Sequence, residues 1–306
     1  MLNLFKMRLF GVFMRPVLLG CIILLCSGCP STFSPNVTYT TNLTYGSGYV
    51  SKAGTEGEYQ LKPLPFDLLA PNDLSGILKP AVVMIHGGGF TGGSRADDDL
   101  LLVANRLASQ GYVCFLTDYR LIGDGPPPAG DFPKYDFPSP DAVRAAIVDA
   151  KTALRYVRAN AALYEVDLDR IALFGESAGS VAALAAGLSG PEEFADDGPG
   201  FPAPPENNPG VNPVPQAIID CWGSADVFTD MFDADDPPIM IWHGTNDFML
   251  GTFFTSALLI RDKCEEFEIP YRFYPLLGEG HGAWDAEYDG KDLSTTILAF
   301  LHDLMP

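Results

Sequence analysis

Two glycine-rich turns, His86-Gly87-Gly88-Gly89-Phe90 and Gly175-Glu176-Ser177-Ala178-Gly179, each follow an apolar run of strand length, 81–85 and 170–174. Each also leads toward a stretch with helical periodicity. A chain in which buried strands break at glycines and give way to helices folds as layers, with helices packed on a sheet. The second turn constrains the backbone further. A serine placed on a sharp strand-to-helix turn crowds the residues two before and two after it against each other, and Gly175 and Gly179 stand at those two positions.

The same alternation runs through most of the chain. Strand candidates are 58–62, 66–70, 81–85, 112–117, 170–174, 216–221, 238–243 and 271–275. Several are unbroken apolar runs such as Ala81-Val82-Val83-Met84-Ile85, which suits strands covered on both faces. Periodicity and end signals predict helices over 97–110, 141–161, 177–188, 251–267 and 289–304. The expected fold is α/β: a mostly parallel central sheet with helices on both faces and no large cap domain. Two segments interrupt the pattern, Leu121–Pro140 and Ser189–Pro215, both rich in proline. Neither carries an apolar stripe, so they read as binding loops or lids beside a fairly open site.

The N-terminus reads as an address. Lys6, Arg8 and Arg15 precede an apolar run from Val17 to Leu25, too short for an ordinary span, and small residues follow. The end of the run, Leu25-Cys26-Ser27-Gly28-Cys29, resembles a bacterial lipobox, which implies a signal peptide over 1–28 and a lipid on Cys29. Simple secretion and a retained anchor are the alternatives. Residues 29–57, with many Thr, Ser, Gly and Asn, read as a flexible tether, and 58–306 as the catalytic domain. Cys114, Cys221 and Cys264 are too few for a disulfide framework, although one bridge among them stays open. The formal charge of −20 disfavours nucleic acid and strongly anionic polymers as partners. The only membrane contact expected is through the lipid anchor.

If Ser177 is a nucleophile it needs a base, and the base needs an orienting acid. Of four histidines, His86 belongs to the first glycine turn, His243 ends a strand and His302 lies in the last helical pattern. His281, in Gly278-Glu279-Gly280-His281-Gly282 after the last strand candidate, is left as the base. The acid is expected between serine and histidine in the chain, and Asp247, on the loop after 238–243, has the best location. Asp220, Asp226 and Asp285 compete with it. The backbone N–H groups of Gly88, Gly89 and Ala178 are the expected donors to an oxyanion. Gly87–Gly89 can also be read as a plain turn. A phosphate loop fits worse, because no Lys-Ser/Thr pair follows it. Trp222 and Trp284 are candidates for stacking on a sugar or aromatic ring.

Taken in order, His86-Gly87-Gly88-Gly89-Phe90, Asp118-Tyr119-Arg120-Leu121, Asp149-Ala150-Lys151, Gly175-Glu176-Ser177-Ala178-Gly179, His243-Gly244-Thr245-Asn246-Asp247 and Gly280-His281-Gly282 resemble the α/β-hydrolase superfamily. The likeness is to its carboxylesterases of the hormone-sensitive-lipase and acetyl/feruloyl-esterase-like branches, and runs from about residue 62 onward. The resemblance implies a Ser-His-Asp triad, no metal or organic cofactor, and hydrolysis of small or polymer-borne carboxylic esters through an acyl-enzyme. The amphipathic N-terminal cap helix of hormone-sensitive-lipase relatives has no counterpart here. A prolyl-oligopeptidase-like peptidase and a non-catalytic binding protein on the same scaffold are the competing readings.

Overall fold

The strand candidates assemble into one sheet whose order is not the chain order. In the computed structural model, residues 33–73, 76–130, 132 and 139–305 are described, and the predicted signal peptide with its lipobox lies outside them. Eight strands are β1 Val37–Ser51, β2 Tyr59–Pro71, β3 Lys79–Ile85, β4 Val113–Thr117, β5 Val166–Glu176, β6 Ala217–Cys221, β7 Ile239–Gly244 and β8 Tyr271–Leu276. They lie in the order β1-β2-β4-β3-β5-β6-β7-β8. β1 and β2 run antiparallel to their neighbours, and β4 to β8 are parallel. A short hairpin, β9 Glu287–Tyr288 with β10 Lys291–Asp292, stands apart.

Alternation within each strand divides the core in two. Ala81, Val83 and Ile85 of β3 face α2 Pro140–Ala159 and α4 Ala178–Leu188, whereas Val82 and Met84 face α1 Asp98–Ser109 and α6 Leu293–Leu304. A one-turn helix, α3 Ala161–Tyr164, follows α2. α5 Phe254–Glu266 covers Ile218, Ile239 and Ile241 at the β6–β7 end. Both faces are therefore buried, which explains why β3 and β7 are continuously apolar.

The structure corrects the tether. Residues 37–51, inside the segment read as irregular, form the longest strand and pair with β2 from Val37–Pro71 to Ser51–Tyr59. Thr, Tyr and Val suit an edge strand that is half in water, where a continuous apolar pattern is not needed. Gly46 and Gly48, which look like loop signals, are there for space. A Cβ on Gly46 would overlap the side chains of Asn207 and Thr152, and one on Gly48 would overlap Arg120. The two candidates 58–62 and 66–70 are a single strand. β4 pairs only with Phe66–Leu69, so β2 has one partner along its first half, where Pro63 and Pro65 are tolerated. The last helix also starts later than expected. Asp289 and Gly290, both with positive φ, turn the β9–β10 hairpin, and Asp292 then caps α6 by accepting from the Thr295 N–H at 2.7 Å.

The segment Ser189–Pro215 is fastened down at several points. Lys151 Nζ donates to the carbonyls of Gly190 at 2.6 Å and Glu193 at 2.7 Å. Arg120, fully buried, pairs with Asp149 at 2.7 Å and with Asp197 at 2.6 Å. Asn207 Nδ2 donates to the Ser47 carbonyl at 2.7 Å and its Oδ1 accepts from the Ser47 N–H. Burial pushes the Lys151 ammonium down to about 7, with the Arg155 charge adding to the effect. Cys114, Cys221 and Cys264 are buried free thiols, so no bridge joins them.

Candidate active site

The sharp turn that carries Ser177, an elbow between β5 and α4, is built by steric exclusion. Ser177 has φ 53° and ψ −121°, a conformation that costs a side-chain-bearing residue about 1–3 kcal/mol. Its N–H is tied to the Cys221 carbonyl at 2.9 Å, and its own carbonyl takes the N–H groups of Ser180 and Val181 in the first turn of α4. A Cβ on Gly175 would overlap the Gly179 backbone, and one on Gly179 would overlap the carbonyls of Ile85 and His86. The turn therefore locks β5, α4 and the end of β3 together and leaves Ser177 at the carboxyl edge of the sheet.

The other two side chains leave the same edge, from β7 and β8. Ser177 Oγ is 2.8 Å from His281 Nε2, and His281 Nδ1 is 2.8 Å from Asp247 Oδ2. The expected trio is thus brought into one hydrogen-bonded chain. The loops that carry Asp247 and His281 are laced to each other: Asn246 N–H donates to the Glu279 carbonyl at 2.8 Å and Gly278 N–H to Thr245 Oγ1 at 2.9 Å. Asp247 is buried. Burial pushes its carboxyl up, but hydrogen bonds from His243, His281 and the Met249 N–H outweigh that and hold it below the usual carboxylate range. A carboxylate favoured in its ionised form beneath the imidazole is what a serine-activating base needs.

The competing acids go elsewhere. Asp220 is buried under α4, accepting from Ser180 Oγ and from the Gly223 N–H at 3.0 Å. Asp226 accepts from Ser256 Oγ at 2.9 Å. His86 is stacked on Tyr119 at 4.5 Å and uses Nδ1 locally with the Gly87 carbonyl. Its burial, largest among the influences on it, lowers its affinity for a proton.

Gly88 and Gly89 have φ of 108° and 61°, and the Gly88 carbonyl takes the N–H groups of Thr91 and Gly92. The amides of Gly88 and Gly89 donate to no acceptor among the described residues. Ala178 opens α4, where a backbone N–H has no intrahelical partner and the helix dipole is positive. Gly87 N–H is used differently, donating to Glu176 Oε1, while Trp222 Nε1 donates to Glu176 Oε2 at 3.2 Å. Burial pushes the Glu176 carboxyl up to about 7 against the opposing pull of those two N–H groups. Glu176 is a residue that the motif reading missed, because its position in the elbow is formally unrestricted.

Trp222 does not serve as a stacking platform. Its side chain is fully buried, held edge-on to Trp284 at 4.9 Å and lying beside His281. Trp222 lies just past the end of β6 with a positive φ of 43°, and its indole N–H is spent on Glu176. Trp284 is half-buried against Phe174 and keeps some exposed surface. The exposed apolar groups lie instead on the loops that carry Asp247 and His281: Phe248 at 80%, Leu250 at 66% and Leu277 at 91% exposure, with Met249 and Phe253. Among the described residues, no group of three or more His, Cys, Asp or Glu side chains stands in metal-binding geometry.

Comparison with known proteins agrees with this geometry. Esterase LipC of Mycobacterium tuberculosis is 34% identical over 110 residues, 36% of this chain and 23% of its own length. Para-nitrobenzyl esterase of Bacillus subtilis is 37% identical over 110 residues, 35% of this chain and 21% of its own. Carboxylesterase NlhH of M. tuberculosis is 36% identical over 117 residues, covering 37% and 31%. The chain thus matches less than a third of the length of these curated relatives. Solved structures of an esterase from the planctomycete Thermogutta terrifontis share the fold. One superimposes with a TM-score of 0.60 at 22% identity, covering 88% of this chain and 91% of that one, and a propionate-bound form gives 0.62 at 23%, covering 89% and 97%. The BD-FAE family model matches residues 66–233, from β2 through the first glycine turn and the elbow to the segment before β7. Since that match takes in more than half of the chain, the protein belongs to the BD-FAE family, built on the α/β-hydrolase fold.

Proposed function

We propose that the protein hydrolyses carboxylic esters through an acyl-enzyme on Ser177. The single observation that carries this is the chain Ser177 Oγ to His281 Nε2 to Asp247 Oδ2, with both links at 2.8 Å and the serine held on a strained turn. In this mechanism Ser177 Oγ attacks the ester carbonyl carbon as His281 Nε2 takes its proton. The carbonyl oxygen becomes an oxyanion between the N–H groups of Gly88, Gly89 and Ala178, and losing one such donor costs about 3 kcal/mol in the transition state. Collapse of the intermediate breaks the bond to the alcohol oxygen, which takes the proton from His281. Water, deprotonated by the same nitrogen, then releases the acid and restores the serine.

The curated relatives are named as esterases, and the ester bond is the bond proposed here. Short acyl or aryl-acyl groups, acetyl and feruloyl among them, on small molecules or on polysaccharide are the proposed substrates. What supports this is the absence of a helical cap among the described residues and the presence of apolar side chains on the rim, Phe248, Leu250 and Leu277, with the exposed part of Trp284. The test is a panel of acetyl, butyryl, octanoyl and feruloyl esters assayed beside acetylated xylan and matched peptide amides. The proposal expects esters to turn over faster than amides, and acetyl or feruloyl faster than octanoyl. Faster amide cleavage would point to the peptidase reading instead.

Export and attachment to the cell envelope through Cys29 are proposed on the lipobox-like Leu25-Cys26-Ser27-Gly28-Cys29 alone.

A further inference from the structure

His243 sits directly behind the acid. Its Nε2 is 3.1 Å from Asp247 Oδ2 and 3.0 Å from the Thr252 carbonyl, and the ring is fully buried. A carbonyl only accepts, so a nitrogen facing both a carbonyl and a carboxylate must carry a proton. Nδ1 of the same ring is buried and has no hydrogen-bond partner. Asp220 shows the complementary defect. Its Oδ1 is satisfied by Ser180 Oγ and the Gly223 N–H, but its Oδ2 is buried and unpartnered.

The two defects are neighbours. Asp220 of β6 pairs with Ile241 of β7, and His243 is two residues on, so both side chains point to the face covered by α4 and α5, one diagonal step apart on adjacent strands. Two orphaned buried polar groups on adjacent strands are costly unless one bridge satisfies both. One proton does so. Placed on Asp220 Oδ2, it reaches the lone pair of His243 Nδ1 through a bridging water, and leaves Nε2 as the protonated nitrogen that Thr252 and Asp247 require.

We propose that His243 is a positioning residue for Asp247, fixed as its Nε2–H tautomer by a protonated Asp220 behind it. Burial raises the Asp220 carboxyl, in keeping with a protonated state. The Nε2–H of His243 then shares Asp247 Oδ2 with the Nδ1–H of His281 and pins the carboxylate so that its lone pair stays aimed at the base. The inference rests on the ester-hydrolase reading of Ser177, His281 and Asp247.

Side-chain 15N spectra of 15N-histidine-labelled full chain test it, because the four histidines give a simple spectrum and His243→Gln assigns one set of signals. The expected result is a ring at position 243 that carries its proton on Nε2 and not on Nδ1 in active enzyme. Asp220→Asn, which carries an N–H where the proton would sit, keeps that tautomer, and Asp220→Leu loses it. His243→Leu lowers kcat by about 10–100-fold with KM changed less than about twofold, and His243→Gln recovers most of the loss. An imidazolium or an Nδ1–H ring at 243 in an active enzyme, or Asp220→Asn losing the tautomer as fully as Asp220→Leu, overturns the positioning role. Wild-type protein with the Nε2–H signal but no Ser177-dependent turnover overturns the hydrolase reading itself, and the positioning role with it.

Discussion

Each member of the site is held by a partner that leaves it little freedom. Ser177 is held by two glycines and a backbone carbonyl, His281 by a carboxylate, and Asp247 by three donors. Asp247→Asn presents an amide to the imidazole and favours the wrong tautomer, so kcat for ester hydrolysis is expected to fall by about 10³–10⁴. Asp226→Asn, at an aspartate bonded to Ser256, is expected to change kcat by less than about threefold. Steady-state kinetics with both variants, beside their melting temperatures, separate a catalytic loss from an unfolding one.

Glu176 gives a pH prediction with a definite sign. Its carboxyl titrates near 7 in the folded chain, above its ordinary value, so the fold favours the neutral form. The stability linked to this group is present in full below the unfolded-state value and is lost as pH rises through about 7. Glu176→Gln removes that loss. The difference in melting temperature, variant minus wild type, is expected to become more positive between pH 4.5 and 8, and a flat difference would show that the carboxyl is not the group responsible. Serine, base and acid were legible in the sequence because glycine motifs and chain order mark them. Glu176 and His243 were not, since each acts through a contact between loops that no spacing encodes.

At the scale of elements, the sequence showed the strands that are buried on both faces and hid β1, although the partly exposed β8 at the opposite edge was still found. β3 and β7 are unbroken apolar runs, whereas β1 is an edge strand whose glycines make room for Arg120 and Asn207. The hairpin at Asp289-Gly290 was likewise absorbed into a predicted helix, because only the cap at Asp292 marks where α6 begins. The same Arg120 ties β1, α2 and the Ser189–Pro215 segment together through Asp149, Asp197 and the Tyr49 carbonyl. Arg120→Ala strands two buried carboxylates and should cost about 3–5 kcal/mol, read from urea denaturation. A loss under 1 kcal/mol would mean that the segment is held mainly by Lys151 and Asn207.

For the molecule as a whole, the acidic charge and the exposed apolar side chains bear on different parts of the proposed function. On the proposed function, a net charge of −20 is expected to keep anionic polymers at a distance, while the exposed Phe248, Leu250 and Leu277 are expected to admit neutral, apolar groups. Replacing Phe248 and Leu277 together by Ser is expected to raise KM for butyryl and feruloyl esters several-fold and to change acetyl esters less, as measured across the same ester panel. Cys29→Ser is expected to move the protein from the membrane fraction to the soluble one, and unchanged fractionation would remove the lipid anchor.

On the proposed mechanism, one hydroxyl is made reactive by the imidazole and carboxylate joined to it. Reaction with paraoxon followed by intact-mass and peptide mapping examines that hydroxyl itself, without choosing a natural substrate. One phosphoryl adduct per chain is expected, on the peptide bearing Ser177, absent in Ser177→Ala and formed far more slowly in His281→Ala. Equal labelling of Ser177→Ala, or an adduct on any other residue, would contradict it.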